Sequence, residues 1–211
     1  MAAAPIVVLS SLALKGTLET SRARLEKQVG PLELHFDATQ AILGNLATVR
    51  ADLLVLTAEA MDGLKKQGFV TDVRTLGSSG VGVAVRAGAR KPDIGSVAAF
   101  KAALEAASSV AHSKVGASGI YFAELIERLG IKLRKRVVVE KGPVGLVVAR
   151  GEAEIGVQQL CELEPVPGID IVGPLPAAIQ KVTHFAAGIP ANAASPKGAR
   201  ALMELMEPVR S

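Results

Sequence analysis

The chain has 211 residues, 24 Lys and Arg against 20 Asp and Glu, three His, one Cys, no Trp and 3% aromatic residues. That length holds one large domain or two small lobes with real cores. So few aromatic rings argue against stacking of bases or sugars, and one cysteine excludes an internal disulfide and a cysteine-based zinc site. The net charge of +4 is spread thinly, and its densest cluster, Lys132, Arg134, Lys135 and Arg136, reads as a solvated turn after a helix rather than a nucleic-acid surface.

The first apolar run, Pro5 to Ser10, predicts a buried strand. Leu14, Leu18, Leu25 and Val29 then recur on one helical face, and Gly30-Pro31 ends that helix. Leu32, Leu34 and Phe36 alternate as in a second strand; Ile42, Leu43 and Leu46 carry a helix; Asp52 to Leu56 is a third strand and Glu59 to Gln67 a third helix. This alternation is that of a parallel sheet with crossover helices. The Gly-rich "GSSGVGVAVRAG" leads into a strand from about Val81 to Arg86. Its glycines are no dinucleotide loop, because a strand rather than a helix follows them.

A second α/β run begins near Pro92. Helices are expected around Val97, Phe100 and Leu104, around Phe122, Leu125, Ile126 and Leu129, and over Gly142 to Arg150. Strands are expected at Ser109–Ser113, Val137–Glu140, Glu154–Gln158, Ile169–Val172 and Val182–Gly188, with "ELEPVPGID" as a loop and a closing helix through Ala199, Leu202, Met203 and Met206. The expected fold is α/β and two-lobed, each lobe a mostly parallel sheet flanked by helices. Residues 1–80 and 187–211 form lobe 1 and 81–186 lobe 2, with two crossover segments and a cleft where a small ligand binds.

Ligands of such sheets bind where strands feed helices. Small or polar residues stand at four of these junctions: Ser10-Ser11, Ala38-Thr39, Ala117-Ser118-Gly119 and Pro143-Val144; Gln158-Gln159 follows another strand. Hydroxyls and backbone N–H groups there suit an anion without a formal cation. The histidines, His35, His112 and His184, have no partner at metal-ligand spacing, so neither metal nor cofactor is expected. Cys161, among apolar residues, reads as a structural thiol.

Six stretches taken in order, "LSSL", "FDATQAIL", "ADLLVLTAEAMDGL", "GASGIYFAELIERLGI", "GPVGLVVARGEAEIGV" and "SPKGARALMELM", cover most of the chain. They resemble the molybdate-type extracellular solute-binding proteins, which have the type 2 periplasmic-binding fold. The resemblance implies hydroxyl and N–H donors at Ser11 and Thr39 and backbone donors at Ala117-Ser118 and Pro143-Val144. The family's oxyanion binders carry a Tyr where this chain has Gln158 or Gln159. An amide both donates and accepts, so a carboxylate or another polar organic ligand is expected over molybdate.

Two functions follow. One is a binding module that closes on a small anion, partnered by an ABC transporter if the chain is exported. The other is an isomerase or tautomerase of a small carboxylic acid on the same scaffold, with His184 as candidate base and Glu140 behind it. A serine hydrolase is disfavoured, since no G-x-S-x-G elbow occurs. No apolar run reaches the length of about 18 residues that spans a membrane, and no basic segment precedes "PIVVLSSLAL" as in a signal peptide. The sequence therefore reads as cytoplasmic, or as periplasmic if a leader has been removed.

Overall fold

The computed structural model describes residues 4–46 and 48–210, without the side chain of Arg210; residues 1–3, 47 and 211, all within the expected lobe 1, lie outside the described residues. In chain order the elements are β1 (Ile6–Ser11), a 3-10 turn (Leu12–Leu14), α1 (Lys15–Val29), β2 (Leu32–Asp37), α2 (Thr39–Asn45), β3 (Leu53–Thr57), α3 (Ala58–Lys66) and β4 (Val70–Arg86). There follow α4 (Val97–Ala106), β5 (Val110–Ser113), α5 (Ala117–Arg128), β6 (Arg136–Val139), α6 (Val144–Ala149), β7 (Ile155–Gln159) and α7 (Leu160–Leu163). The chain ends with β8 (Ile169–Pro174), a second 3-10 turn (Ala177–Ile179), β9 (Val182–Pro190), α8 (Pro196–Leu205) and β10 (Val209–Arg210).

The chain divides into two compact units: one holds the described residues up to Ser78 together with Thr183–Arg210, the other Ser79–Val182. In unit 1, β1 pairs in parallel with β2 and β3, and β9 runs antiparallel to β3. Residues Leu53 to Leu56 of β3 are fully buried, as expected of a parallel strand covered on both faces. Leu54 and Leu56 meet Ile42 of α2 and Met61 and Leu64 of α3 in one cluster. Strand alternation turns Leu53 and Val55 to the opposite face. The Asp52 carboxylate fastens this unit at its strand starts, accepting from the N–H of Val7 at 2.9 Å and of Ser195 at 2.7 Å.

In unit 2, β5 pairs in parallel with β6 and β7, while β4 runs antiparallel to β7 and β8. Phe100 and Leu104 of α4 and Phe122, Leu125 and Ile126 of α5 pack on Val81, Val83, Val110 and Val157 in a single core. Val144 and Val147 of α6 join Ala111 and Val139 in a smaller cluster. The parallel strands place the ends of β5, β6 and β7 at one sheet edge, as those of β1, β2 and β3 are placed in unit 1.

Two expectations are corrected, and one strand is new. β4 begins at Val70, not near Val81, because the polar and Gly-rich segment Thr71–Gly80 is held as strand by its neighbours: Thr71 Oγ1 donates to the carbonyl of Ile189, and Val209 and Arg210 of β10 pair with Gly77 and Ser78. Gly77 takes φ +116°, and a Cβ there would lie 2.2 Å from the Val209 carbonyl oxygen. The expected loop after β7 opens with the single-turn helix α7, in which Glu162 and Leu163 are helical. The two-residue β10 carries no sequence signal of its own.

Candidate functional site

The two serines that end β1 do different work. Ser10, fully buried, donates its hydroxyl to the carbonyl of Ser11 at 3.1 Å. Ser11 stands at the cap of the following turn without capping it, and its hydroxyl, 4% exposed as a residue, has no hydrogen-bond partner among the described residues. The register sets Ser11 beside Asp37 at the end of β2. Asp37 Oδ1 accepts the N–H of Ala38 at 2.7 Å, which removes Ala38 as a donor. Thr39, half-buried, is the first residue of α2 and not its cap.

Unit 2 repeats this arrangement. Ser113 ends β5, and its hydroxyl accepts the N–H of Gly116 at 3.0 Å, shaping the turn into α5. Ser118 in the first turn of α5 is 1% exposed, and its hydroxyl has no partner among the described residues. A buried hydroxyl without a partner costs about 1–3 kcal/mol, and among the described residues Ser11 and Ser118, at strand-to-helix junctions of their own units, carry that cost. Gly119, by contrast, already uses its N–H within the turn. Its N–H closes the turn onto the Gly116 carbonyl at 3.0 Å, and a Cβ there would sit 1.9 Å from the Ser113 carbonyl oxygen. It is glycine so that α5 can lie against β5. Ala117 is exposed.

At the start of α6 a second correction applies. Pro143 has no N–H, and the N–H of Val144 donates to Gln158 Oε1 at 2.8 Å. This bond fixes the orientation of the Gln158 amide, because a backbone N–H meets only its oxygen. Nε2 of Gln158 then donates to Glu162 Oε2 at 2.6 Å. Gln158, 2% exposed, is thus bound at both ends inside its own unit, and Gln159 beside it is equally buried.

Glu162 is the residue that sequence reasoning missed. It is half-buried on α7, and burial pushes its carboxyl up to about 7, the Gln158 hydrogen bond pulling weakly the other way. Of the elements packed on α7, α6 reads Val-Gly-Leu-Val-Val-Ala and β7 Ile-Gly-Val-Gln-Gln, without charge, and β4 meets it through residues 79–82, also uncharged, its Asp72, Arg74 and Arg86 standing elsewhere on the strand. The signal was available as a lone acidic residue in "IGVQQLCEL", one helical turn after Gln158.

The two acid–base candidates named from sequence lie elsewhere. His184 is exposed on β9 of unit 1. Glu140 is exposed and ion-paired to Lys114 at 2.9 Å. His112 is buried beside Phe122; Arg136 Nε donates to its Nε2 at 2.7 Å, so Nδ1 carries the proton and donates to the Ser113 carbonyl at 2.9 Å. Burial holds it below the usual imidazole range, the Arg136 charge adding to this. His35 meets Glu33 on the surface. Burial pushes the Cys161 thiol up to about 12, an inert group. No group of metal-ligating residues occurs among the described residues. Unit 1 has a cavity of about 460 Å³ between α2 and α3, lined by Gln40, Thr57, Glu59 and Gln67 and by none of the junction serines.

The profile of a family described as bacterial extracellular solute-binding protein matches residues 12–208. The chain belongs to this family. Within and beyond it, the chain is 40% identical over 222 residues to an aconitate isomerase of Pseudomonas sp., covering 98% of this chain and 84% of the relative. Among solved structures, the Azotobacter vinelandii periplasmic molybdate-binding protein superposes with a TM-score of 0.74 at 19% identity, covering 95% of this chain and 92% of that one. The periplasmic binding protein P5PA gives 0.69 at 15% identity, covering 97% and 80%. These two likenesses establish the two-lobed type 2 periplasmic-binding fold. No helix among the described residues of this solute-binding family member is long and apolar enough to cross a membrane.

Proposed function

We propose that the protein is an isomerase of a small unsaturated carboxylic acid, aconitate being the first substrate to test. The observation that carries this reading is the 40% identity to an aconitate isomerase along nearly the whole chain. The chemistry asks little of a protein. Moving one proton from the methylene carbon of aconitate to the far vinyl carbon shifts the double bond and interconverts the cis and trans acids. The intermediate charge is spread over three carbons and their carboxylates, so the site must supply anion donors and one acid–base group.

We assign carboxylate donors to the strand-to-helix junctions of each unit taken by itself, Ser118 in unit 2 and Ser11 and Thr39 in unit 1. The unpartnered hydroxyls of Ser11 and Ser118 support this. Gln158 acts through its neighbours rather than as a free amide, given its two internal hydrogen bonds. The family description favours a second reading, capture of a small anion outside the cytoplasm for hand-over to an ABC transporter. Incubation with cis- or trans-aconitate, followed by chromatography, separates the two. The isomerase converts either acid to the same final mixture; a hand-over protein binds an anion and returns it unchanged.

A further inference from the structure

Isomerisation by proton shift needs a group that takes a proton at one carbon and returns it at another. We infer that Glu162 is this group, and that Gln158 is the positioning residue that aims it; the inference rests on the isomerase reading above. The geometry is a fixed chain of two bonds. The Val144 N–H meets Gln158 Oε1 at 2.8 Å and locks the amide, and Gln158 Nε2 meets Glu162 Oε2 at 2.6 Å. Gln158 is 2% exposed and has no room to swing, whereas Glu162 keeps part of its surface open.

Among the described residues Glu162 also has no basic group holding its carboxylate: it makes no ion pair, while Glu140, Glu152 and Glu105 each have a basic partner. The flanking α6 and β7 are uncharged, β4 meets α7 at residues 79–82 and carries its charges, Asp72, Arg74 and Arg86, outside that stretch, and on its own element and just beyond it the titratable groups are Cys161 and the exposed Glu164. A carboxyl balanced between its two forms suits both halves of the transfer.

In the forward step a carboxylate oxygen of Glu162 takes a proton from the substrate methylene. That C–H bond breaks, and its electron pair spreads over the three-carbon unit. The protonated carboxyl then gives the proton to the opposite terminal carbon; the new C–H bond forms and the double bond settles in the other position. Nothing is oxidised or reduced, and no atom is gained.

The test compares wild type, Glu162→Gln, Glu162→Asp and Gln158→Leu on both aconitate isomers, with binding followed by calorimetry. Glu162→Gln is expected to bind the acids within about threefold of wild type and to lose at least about a thousandfold in kcat, at the upper part of what a positioned acid–base group supplies. Glu162→Asp is expected to keep measurable turnover. Wild-type kcat should rise with pH through an acid limb near the about 7 of this carboxyl. Gln158→Leu removes the bond that favours the carboxylate, so its limb should move to higher pH while KM stays within about threefold. Turnover by Glu162→Gln within tenfold of an active wild type overturns the inference and leaves the isomerase reading standing. A limb that does not move in folded Gln158→Leu overturns the positioning role. No conversion by the wild-type protein overturns both the reading and the inference.

Discussion

Gln158 shows how one side chain can tie a helix start to an acid. Its amide accepts from Val144 and donates to Glu162, and neither bond can be exchanged for the other. The consequence for Glu162 can be measured without substrate. Its folded-state value of about 7 stands above the ordinary 4.5. The folded protein therefore binds this proton more tightly than the unfolded chain does. The stabilisation is complete below about 4.5 and is lost as pH rises through about 7. Glu162→Gln is expected to match wild type near pH 4 and to exceed it by about 2 kcal/mol near pH 8, allowing for partial solvent screening, as read by urea unfolding. Equal stabilities near pH 8 would show that the carboxyl is not held up. Ser118→Ala makes the complementary case. The hydroxyl has no protein partner among the described residues, so its removal should leave thermal stability unchanged or slightly higher. Aconitate affinity should fall by about 1.5–3 kcal/mol, the worth of a donor to a charged group. A loss of stability with unchanged affinity would make Ser118 structural.

At the scale of the element, α5 is placed by one residue without a side chain. A Cβ at Gly119 would lie 1.9 Å from the Ser113 carbonyl oxygen, backbone against backbone. Gly119→Ala is expected to cost about 3 kcal/mol in urea unfolding, the upper range for overpacking. Gly142, at φ +86° with nothing within 4 Å, should cost only about 1 kcal/mol on the same change. Equal costs would contradict the packing account of α5. Most elements were legible because their apolar periods are clean: Phe122, Leu125 and Ile126 mark α5, and Leu53 to Leu56 mark β3. The first half of β4 was not, since Thr71, Asp72 and Arg74 are held by tertiary partners, Asp72 by Arg200 and Arg74 by the Met203 carbonyl. The junction serines could be read from their places at strand ends. That Val144 and Gly119 spend their N–H groups internally could not, because both partners are fixed by folding. Glu162 escaped because its raised carboxyl comes from burial, and only the packing of α6 and β7 on α7 produces that.

At the scale of the whole molecule, two α/β units of one chain each carry a parallel sheet edge with a buried serine whose hydroxyl has no partner among the described residues. On the proposed reading, these serines and Glu162 of α7 would supply what an isomerase of a polycarboxylic acid needs. The family description names solute binding, and the relative that is 40% identical is an isomerase. Proton NMR of cis-aconitate and, separately, trans-aconitate with catalytic amounts of the purified protein decides between them most directly. The account predicts that each acid is converted to the other, that both reactions end at the same ratio, and that molybdate in equal amount does not stop them. Aconitate left unchanged from both directions, with tight binding of molybdate or of an acid, would contradict it.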